Sequence, residues 1–410
     1  MSGLLGPILL QVVTLSVADR TEVRVVHADT NYSEASTSPG VGLNFRWQHT
    51  ALSISYGPPR LTLSPLDSKN PTLLVNQSAA VGVAYRWRRT TVTVSESGSY
   101  GKVNFQQQAL AGTAPDLNAP APATGANNQA PPAQPATPPP GTTLPAANQY
   151  LANGEVVRYG SLSSNVRLTQ AITPTLSLGG GVGYVVSGSL DSKTATDYPL
   201  VRGVSVDTSA AYRLNLANDL TSSVGTQFAV ARKGNSGWFL AANESLGHRF
   251  DTRTAARVGG GLSVSRSATT DGAILYSIYP TFSASISRVT PQVNGAFAYG
   301  AALSAAPALD PVRATVDPRL SMSLFAGWGY GDFSTSLSAG SAISLVQQND
   351  QGAFNSFSAA IGAALRLADA VSVSTGVRAF RQSFQGATTV PTTYAAYLGL
   401  SLGALVPISR

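Results

Sequence analysis

The stretch Val204-Ser205-Val206-Asp207-Thr208-Ser209-Ala210-Ala211-Tyr212-Arg213-Leu214-Asn215-Leu216 decides the fold. Its even positions are mostly apolar. Its odd positions are small, polar or charged. Successive side chains of an extended strand point to opposite faces, so a period of two writes one apolar face and one polar face. The same split runs through Phe333, Thr335, Leu337 and Ala339 against Ser334, Ser336, Ser338 and Gly340. It recurs in Val371, Val373, Thr375 and Val377 against Ser372, Ser374, Gly376 and Arg378, and again in Tyr394 to Gly403. A soluble sandwich also alternates, but its inner faces need bulky side chains to fill a core. Here the apolar parity is modest and the other is Ser, Gly, Asn and Arg, which suits a wall with a lipid-facing exterior and a wet interior.

Composition agrees. The chain has 410 residues, 43% of them hydrophobic and only 11% charged. That charge is less than half the roughly 25% usual for soluble proteins. No run approaches the ~18 consecutive apolar residues of a spanning helix. Few charges, no long apolar run and 39 glycines fit a transmembrane barrel, whose strands are only half apolar. The absence of cysteine excludes disulfides, thiolate metal sites and cysteine nucleophiles. A net charge of +7 invites a nucleic-acid reading. The basic residues are scattered singly rather than clustered on one face, so no nucleic-acid partner is expected.

Turn signals divide the chain. Short connections fall near His49, Arg89, Thr173, Asn218, Asp251, Thr290, Tyr330 and Asp369. Longer links are expected at Tyr32–Gly40, Pro58–Asn76, Gln106–Ala152, Ser189–Pro199, Arg232–Gly237, Ser267–Ala273, Ala305–Arg313, Gln347–Gly352 and Ser383–Pro391. The two kinds alternate, as short periplasmic turns and longer outer loops do in bacterial barrels. Seventeen connections give eighteen strands, and one misread pair would give sixteen. The predicted fold is all-β: a transmembrane antiparallel up-and-down barrel over residues 19–410, with both termini periplasmic. Trp47, Trp87, Tyr212, Trp328 and Tyr330 sit beside short turns, where an aromatic girdle is expected at the membrane interface. Tyr56, Tyr100, Tyr184, Tyr198, Trp238, Tyr276 and Tyr299 would form the second girdle.

In turn alternation, girdles and parity the chain resembles Gram-negative porin-like barrels. More loosely, it looks like the eighteen-stranded exopolysaccharide-export porins of myxobacteria, by strand number and size. The resemblance implies an integral outer-membrane channel, surrounded by outer-membrane lipid, that passes or exports a polar, anionic solute. Polysaccharide is the best specific cargo, with a periplasmic polysaccharide export protein as partner. The alternative is a structural or surface-interaction barrel with a closed lumen. One departure is the C-terminus, Val406-Pro407-Ile408-Ser409-Arg410, which lacks the terminal aromatic typical of outer-membrane barrels.

Candidate chemistry is electrostatic. Arg46, Arg86, Arg88, Arg167, Arg213 and Arg366 take the polar parity just before short turns, and Arg257 lies just after one. Arginine facing lipid at mid-depth would cost ~2–4 kcal/mol, so these side chains are expected to line the lumen at its periplasmic mouth. Rings of Arg favour anions. They are also in reach of the turn carboxylates Asp219, Asp251, Asp332 and Asp369, an equally good structural role. Gln106–Ala152 holds ten of the 25 prolines and reads as a disordered outer loop, or as one folding inward to narrow the pore. Leu4–Val17 with Ser16 and Ala18 reads as a signal-peptide remnant ending before Asp19, or else as a first strand. Gly179, Gly180, Gly181 and Gly183 lack the Lys-Ser/Thr of a phosphate loop and read as strand residues. His27 with Asp29 is the one candidate dyad. No enzyme activity, metal or cofactor is expected.

Overall fold

The computed structural model describes residues 12–28, 31–65, 69–104, 156–195, 198–232, 234–270, 272–292, 295–309, 314–345, 354–384 and 392–407. Its strands are β1 (Val12–His27), β2 (Asn31–Arg46), β3 (Thr50–Ser64), β4 (Thr72–Trp87), β5 (Thr90–Asn104) and β6 (Val156–Ala171). There follow β7 (Leu176–Ser189), β8 (Val201–Arg213), β9 (Asn218–Ala231), β10 (Ser236–Arg249), β11 (Thr254–Ala268) and β12 (Ile274–Gln292). The last six are β13 (Gly295–Leu309), β14 (Val316–Tyr330), β15 (Phe333–Ser344), β16 (Phe354–Ala368), β17 (Val371–Phe384) and β18 (Thr393–Pro407). Each pairs antiparallel with its chain neighbours, and β1 also pairs with β18, closing one 18-stranded sheet. Closure matters because an open edge leaves backbone donors and acceptors unsatisfied in lipid.

Residues opposite each other across a ladder share a face, so the parity of one strand fixes the whole wall. In β8, Val204 and Val206 lie on the exposed outer face while Ser205 and Asp207 are buried on the inner one. This is the inverse of a soluble sandwich, and alternation with modest apolar residues is its cause.

Links at one end of the barrel, here the turn end, have two to four residues. Local side chains close several of them. Asn215 Oδ1 accepts from the backbone N–H of Ala217 and Asn218 at 2.8 Å each, and Asp251 Oδ1 accepts from those of Arg253 and Thr254 at 2.6 Å each. Such Asx turns are what Asn and Asp contribute at tight bends. Links at the other end, the loop end, range from three residues (28–30) to 51 (105–155).

Several expected boundaries move. Tyr32–Gly40 is strand, not link: Asn31 to Arg46 pairs along its whole length with β1. β3 runs through Pro58 and Pro59 to Ser64, β12 runs through Thr290-Pro291 to Gln292, and β13 runs through Pro307 to Leu309. Pro291 and Pro307 pair in regular register, whereas Pro39, Pro58 and Pro59 sit at ladder irregularities. Register shifts between Thr37 and Val41, and between Gly57 and Arg60, bracket Pro39, Pro58 and Pro59. A bulge is one of the few places a sheet accepts a residue without an N–H. Val12–Ala18, read from sequence as the end of a leader, lie in β1. From Thr14 to Ala18 they pair with β2 on one side and β18 on the other, so they help seal the barrel. The central question about Gln106–Ala152 falls outside the described residues.

Candidate functional site

The lumen has two unlike halves. At the turn end, Arg46, Arg86 and Arg213 face inward by register and are exposed. None of them belongs to an ion pair found among the described residues. Arg249, at the end of β10, has the same inward parity and exposure. In the sequence it stands two residues before Asp251 and reads as part of that turn. Three expected arginines take the structural role, two of them with the turn carboxylates Asp219 and Asp332. Arg167 on β6 meets Asp207 on β8 at 3.2 Å, Arg257 on β11 meets Asp219 on β9, and Arg366 on β16 meets Asp332 at 3.0 Å.

The first two pairs share one design. Each spans a strand, and each passes over a glycine on it. Gly181 stands opposite both Arg167 and Asp207, and Gly247 opposite both Arg257 and Asp219. A Cβ on Gly181 would come within 2.8 Å of Asp207 Oδ1, and one on Gly247 within 2.5 Å of Asp219 Oδ1. Gly181 of β7 is therefore clearance for a charge pair, as well as a strand residue. Arg213 stands opposite Asp219 in its ladder, but that carboxylate is engaged by Arg257. Arg88 does not line the lumen. It lies in the turn after β4 with a φ of 46°, its guanidinium 5.7 Å from the ring of outward-facing Trp87. The left-handed backbone ends the strand alternation on which its parity was counted.

At the loop end, inward side chains are buried. Glu22 on β1 accepts from Arg20 at 3.0 Å and from Arg378 on β17 at 3.0 Å, and also pairs with Arg24. Arg24 reaches Glu34 on β2 at 2.8 Å. Glu22, Arg24, Glu34 and Arg378 are each at most 4% exposed. The Arg378 guanidinium lies 3.8 Å from the centroid of the Tyr397 ring, a cation–π contact out of water. This network joins the first strands to the last across the closing seam. Its members share the polar parity of their strands, which is the signal that could have revealed them.

Nearby, Val26, Phe380 and Ala395 form a buried inward patch beside Tyr32. Tyr198, expected in the outer girdle, instead tucks into the lumen and is buried against Val103 and Val157. Tyr299 also departs from that girdle, lying near the turn end of β13 beside Phe297. Tyr56, Tyr100, Tyr184 and Tyr276 are exposed on the outer face. On the turn side, Trp87, Tyr212 and Tyr330 are exposed outward, Trp328 stacks on Tyr330 at 6.2 Å, and Trp47 stacks on Phe45 at 6.0 Å. His27 Nδ1 bonds Asn31, while Asp29 lies outside the described residues.

A closed antiparallel barrel with an apolar exterior and a polar, charge-lined interior is an integral outer-membrane barrel of the porin class. The model of the EpsX exopolysaccharide export family matches residues 11–405, so the chain belongs to that family. No curated protein matches it in sequence. Among solved structures it is similar to OpdK of Pseudomonas aeruginosa, determined with vanillate, at 9% identity over 97% of this chain and 100% of that one (TM-score 0.49). OpdO of the same organism gives 13% identity over 98% and 99% (TM-score 0.48). The iron transporter FrpB of Neisseria meningitidis gives 10% identity over 90% of this chain and 62% of that one (TM-score 0.49), so the chain spans less than two thirds of that protein.

Proposed function

We propose that this barrel is an export channel for an anionic polysaccharide, with its turn end in the periplasm and its loop end outside. The carrying observation is the asymmetry of the lumen. Four exposed inward arginines (Arg46, Arg86, Arg213 and Arg249) stand at the turn end, and buried side chains crowd the loop end. Rings of Arg attract anions, so the turn end would draw a negatively charged chain toward the lumen. Pairing of Arg167, Arg257 and Arg366 with aspartates removes part of that field and leaves a net positive mouth. Trp47, Trp87, Tyr212, Trp328 and Tyr330 would anchor the periplasmic interface, and both termini would then lie on that side. A periplasmic polysaccharide export protein, delivering the chain to the mouth, is the partner this reading requires. The buried loop end favours a second reading, a structural barrel whose lumen stays closed.

Single-channel conductance in a planar bilayer separates the two, measured with ion selectivity on the intact protein and on one lacking 106–152. An anion-preferring conductance in the intact protein supports the channel. Conductance that begins only after deletion supports an export barrel kept shut by that segment. Silence in both favours the structural barrel.

A further inference from the structure

The wall is not sealed along its full height. β11 and β12 pair from Ile274 onward, but the β12–β13 ladder begins only at Phe282 opposite Ala305. Ile274 to Thr281 therefore present an edge without a β13 partner. Above the split, the β13–β14 hairpin leaves the wall and lies inside the barrel. Ala305, Leu309 and Val316 carry the outward parity of their strands, yet they are buried. Leu309, Ala314 and Val316 pack against Val201, Ala229 and Phe239, which are inward residues of β8, β9 and β10. The backbone N–H of Val316 donates to Ser267 Oγ on β11 at 2.9 Å. Gly237 of β10 accommodates the crossing, since a Cβ there would lie 2.5 Å from the Ala314 carbonyl oxygen. The hairpin thus spans the inner faces of β12 to β8 and takes up room in the loop-end lumen.

The sequence is equally suited to a second position. Extending the observed β12–β13 register by four residues sets Pro280 opposite Pro307, Tyr279 opposite Ala308 and Ile278 opposite Leu309. In that register Pro307, Leu309, Val316 and Pro318 would face lipid beside Ile278, continuing the apolar parity of Phe297 to Leu303 and Leu320 to Trp328. Ala306, Ala308, Asp317 and Arg319 would face the lumen. Both positions bury or satisfy the same alternation, because the inner wall of β8–β10 is locally apolar there. The seam is weak at one place. Pro280 and Pro307 both lack an N–H, so the ladder loses two donors where the strands part.

We propose that the β13–β14 hairpin is a gate. Folded in, it narrows the lumen and leaves the upper edge of β12 open. Zipped onto β12, it completes the wall and widens the path. The inference rests on reading the lumen as a conduction path, but its first readout does not.

The chain has no cysteine, so paired cysteines trap each state without background. Ser267→Cys with Val316→Cys bridges the folded-in state, where the two residues are in contact. Ile278→Cys with Leu309→Cys can bridge only in the zipped register, because Ile278 is exposed on the outer face while Leu309 lies buried on the inner wall. Gel-shift assays on protein in outer-membrane lipid vesicles score cross-linking under mild oxidant, and bilayer recordings score conductance. Cross-linking of both pairs is expected, with conductance lost on oxidising the first pair and raised on oxidising the second. Cross-linking of both without any conductance supports a mobile hairpin and counts against the channel reading alone. Quantitative cross-linking of the first pair with none of the second overturns the gate, as does conductance indifferent to both bridges. Tyr279→Cys with Ala308→Cys repeats the zipped trap on the other face should Ile278→Cys with Leu309→Cys fail to fold.

Discussion

Glu22→Gln is the sharpest test of how the barrel closes. Glu22 is 4% exposed and accepts from three guanidinium groups, those of Arg20, Arg24 and Arg378. Glutamine keeps the size and one acceptor but removes the charge. Arg24 and Arg378, at 2% and 1% exposed, would then remain in a dry site with Glu34 as the nearest counter-charge. Breaking a buried ion pair from one side costs about 3–5 kcal/mol, because the stranded charge keeps its desolvation penalty. Asp332→Asn is the internal control. Its pair with Arg366 has the same 3.0 Å separation, but the side chains are 61% and 57% exposed, and such pairs contribute about 1 kcal/mol or less. The assay is urea unfolding of protein folded into lipid vesicles, followed by tryptophan fluorescence and by the mobility shift of unheated barrel on a gel. Glu22→Gln should lower the midpoint several-fold more than Asp332→Asn. Glu22→Gln/Arg378→Gln should cost less than the sum of its single changes, since residues in one network do not add. Equal, small shifts for Glu22→Gln and Asp332→Asn would refute the reasoning, because they would mean that the seam network is effectively solvated.

Two further outcomes follow from the turn-end lumen. Replacing Arg46, Arg86 and Arg213 with glutamine should move the reversal potential in a salt gradient toward cation preference, and an unchanged potential would exclude these side chains from the conduction path. Gly247→Ala should destabilise by about 1–3 kcal/mol, the usual cost of overpacking, since its methyl would meet the Asp219 carboxylate at 2.5 Å. Gly340→Ala, whose methyl would meet Ser358 Oγ at an ordinary 3.5 Å, should be nearly neutral in the same unfolding assay.

Much of the architecture is legible in the residues. Val204 to Arg213 states the strand, its faces and the wet interior, because a period of two has one geometric meaning. Eighteen strands come from counting connections, and the count survives although several boundaries shift by many residues. The shifts concentrate at Pro39, Pro58-Pro59, Pro291 and Pro307. Proline punctuates a sequence in the same way whether it ends a strand or bulges it. The vestibule is legible only in part. Parity places Arg46, Arg86 and Arg213 inside, but it cannot say that Arg167 and Arg257 are matched by aspartates two strands away. It also misplaces Arg88, whose turn backbone breaks the alternation.

The alternation of apolar and polar residues, the low charge and the spacing of turns are local properties. They were enough to determine an antiparallel barrel with an apolar outside and an even number of strands. Which charges meet is a property of the closed wall. Glu22 and Arg378 are 356 positions apart, and only the β1–β18 seam brings them together. The folded-in hairpin is of the same kind. Its residues carry a pattern that suits both lipid and an apolar inner wall, so local chemistry leaves the choice open. Packing against Val201, Ala229 and Phe239, supplied by strands far away in the chain, makes it.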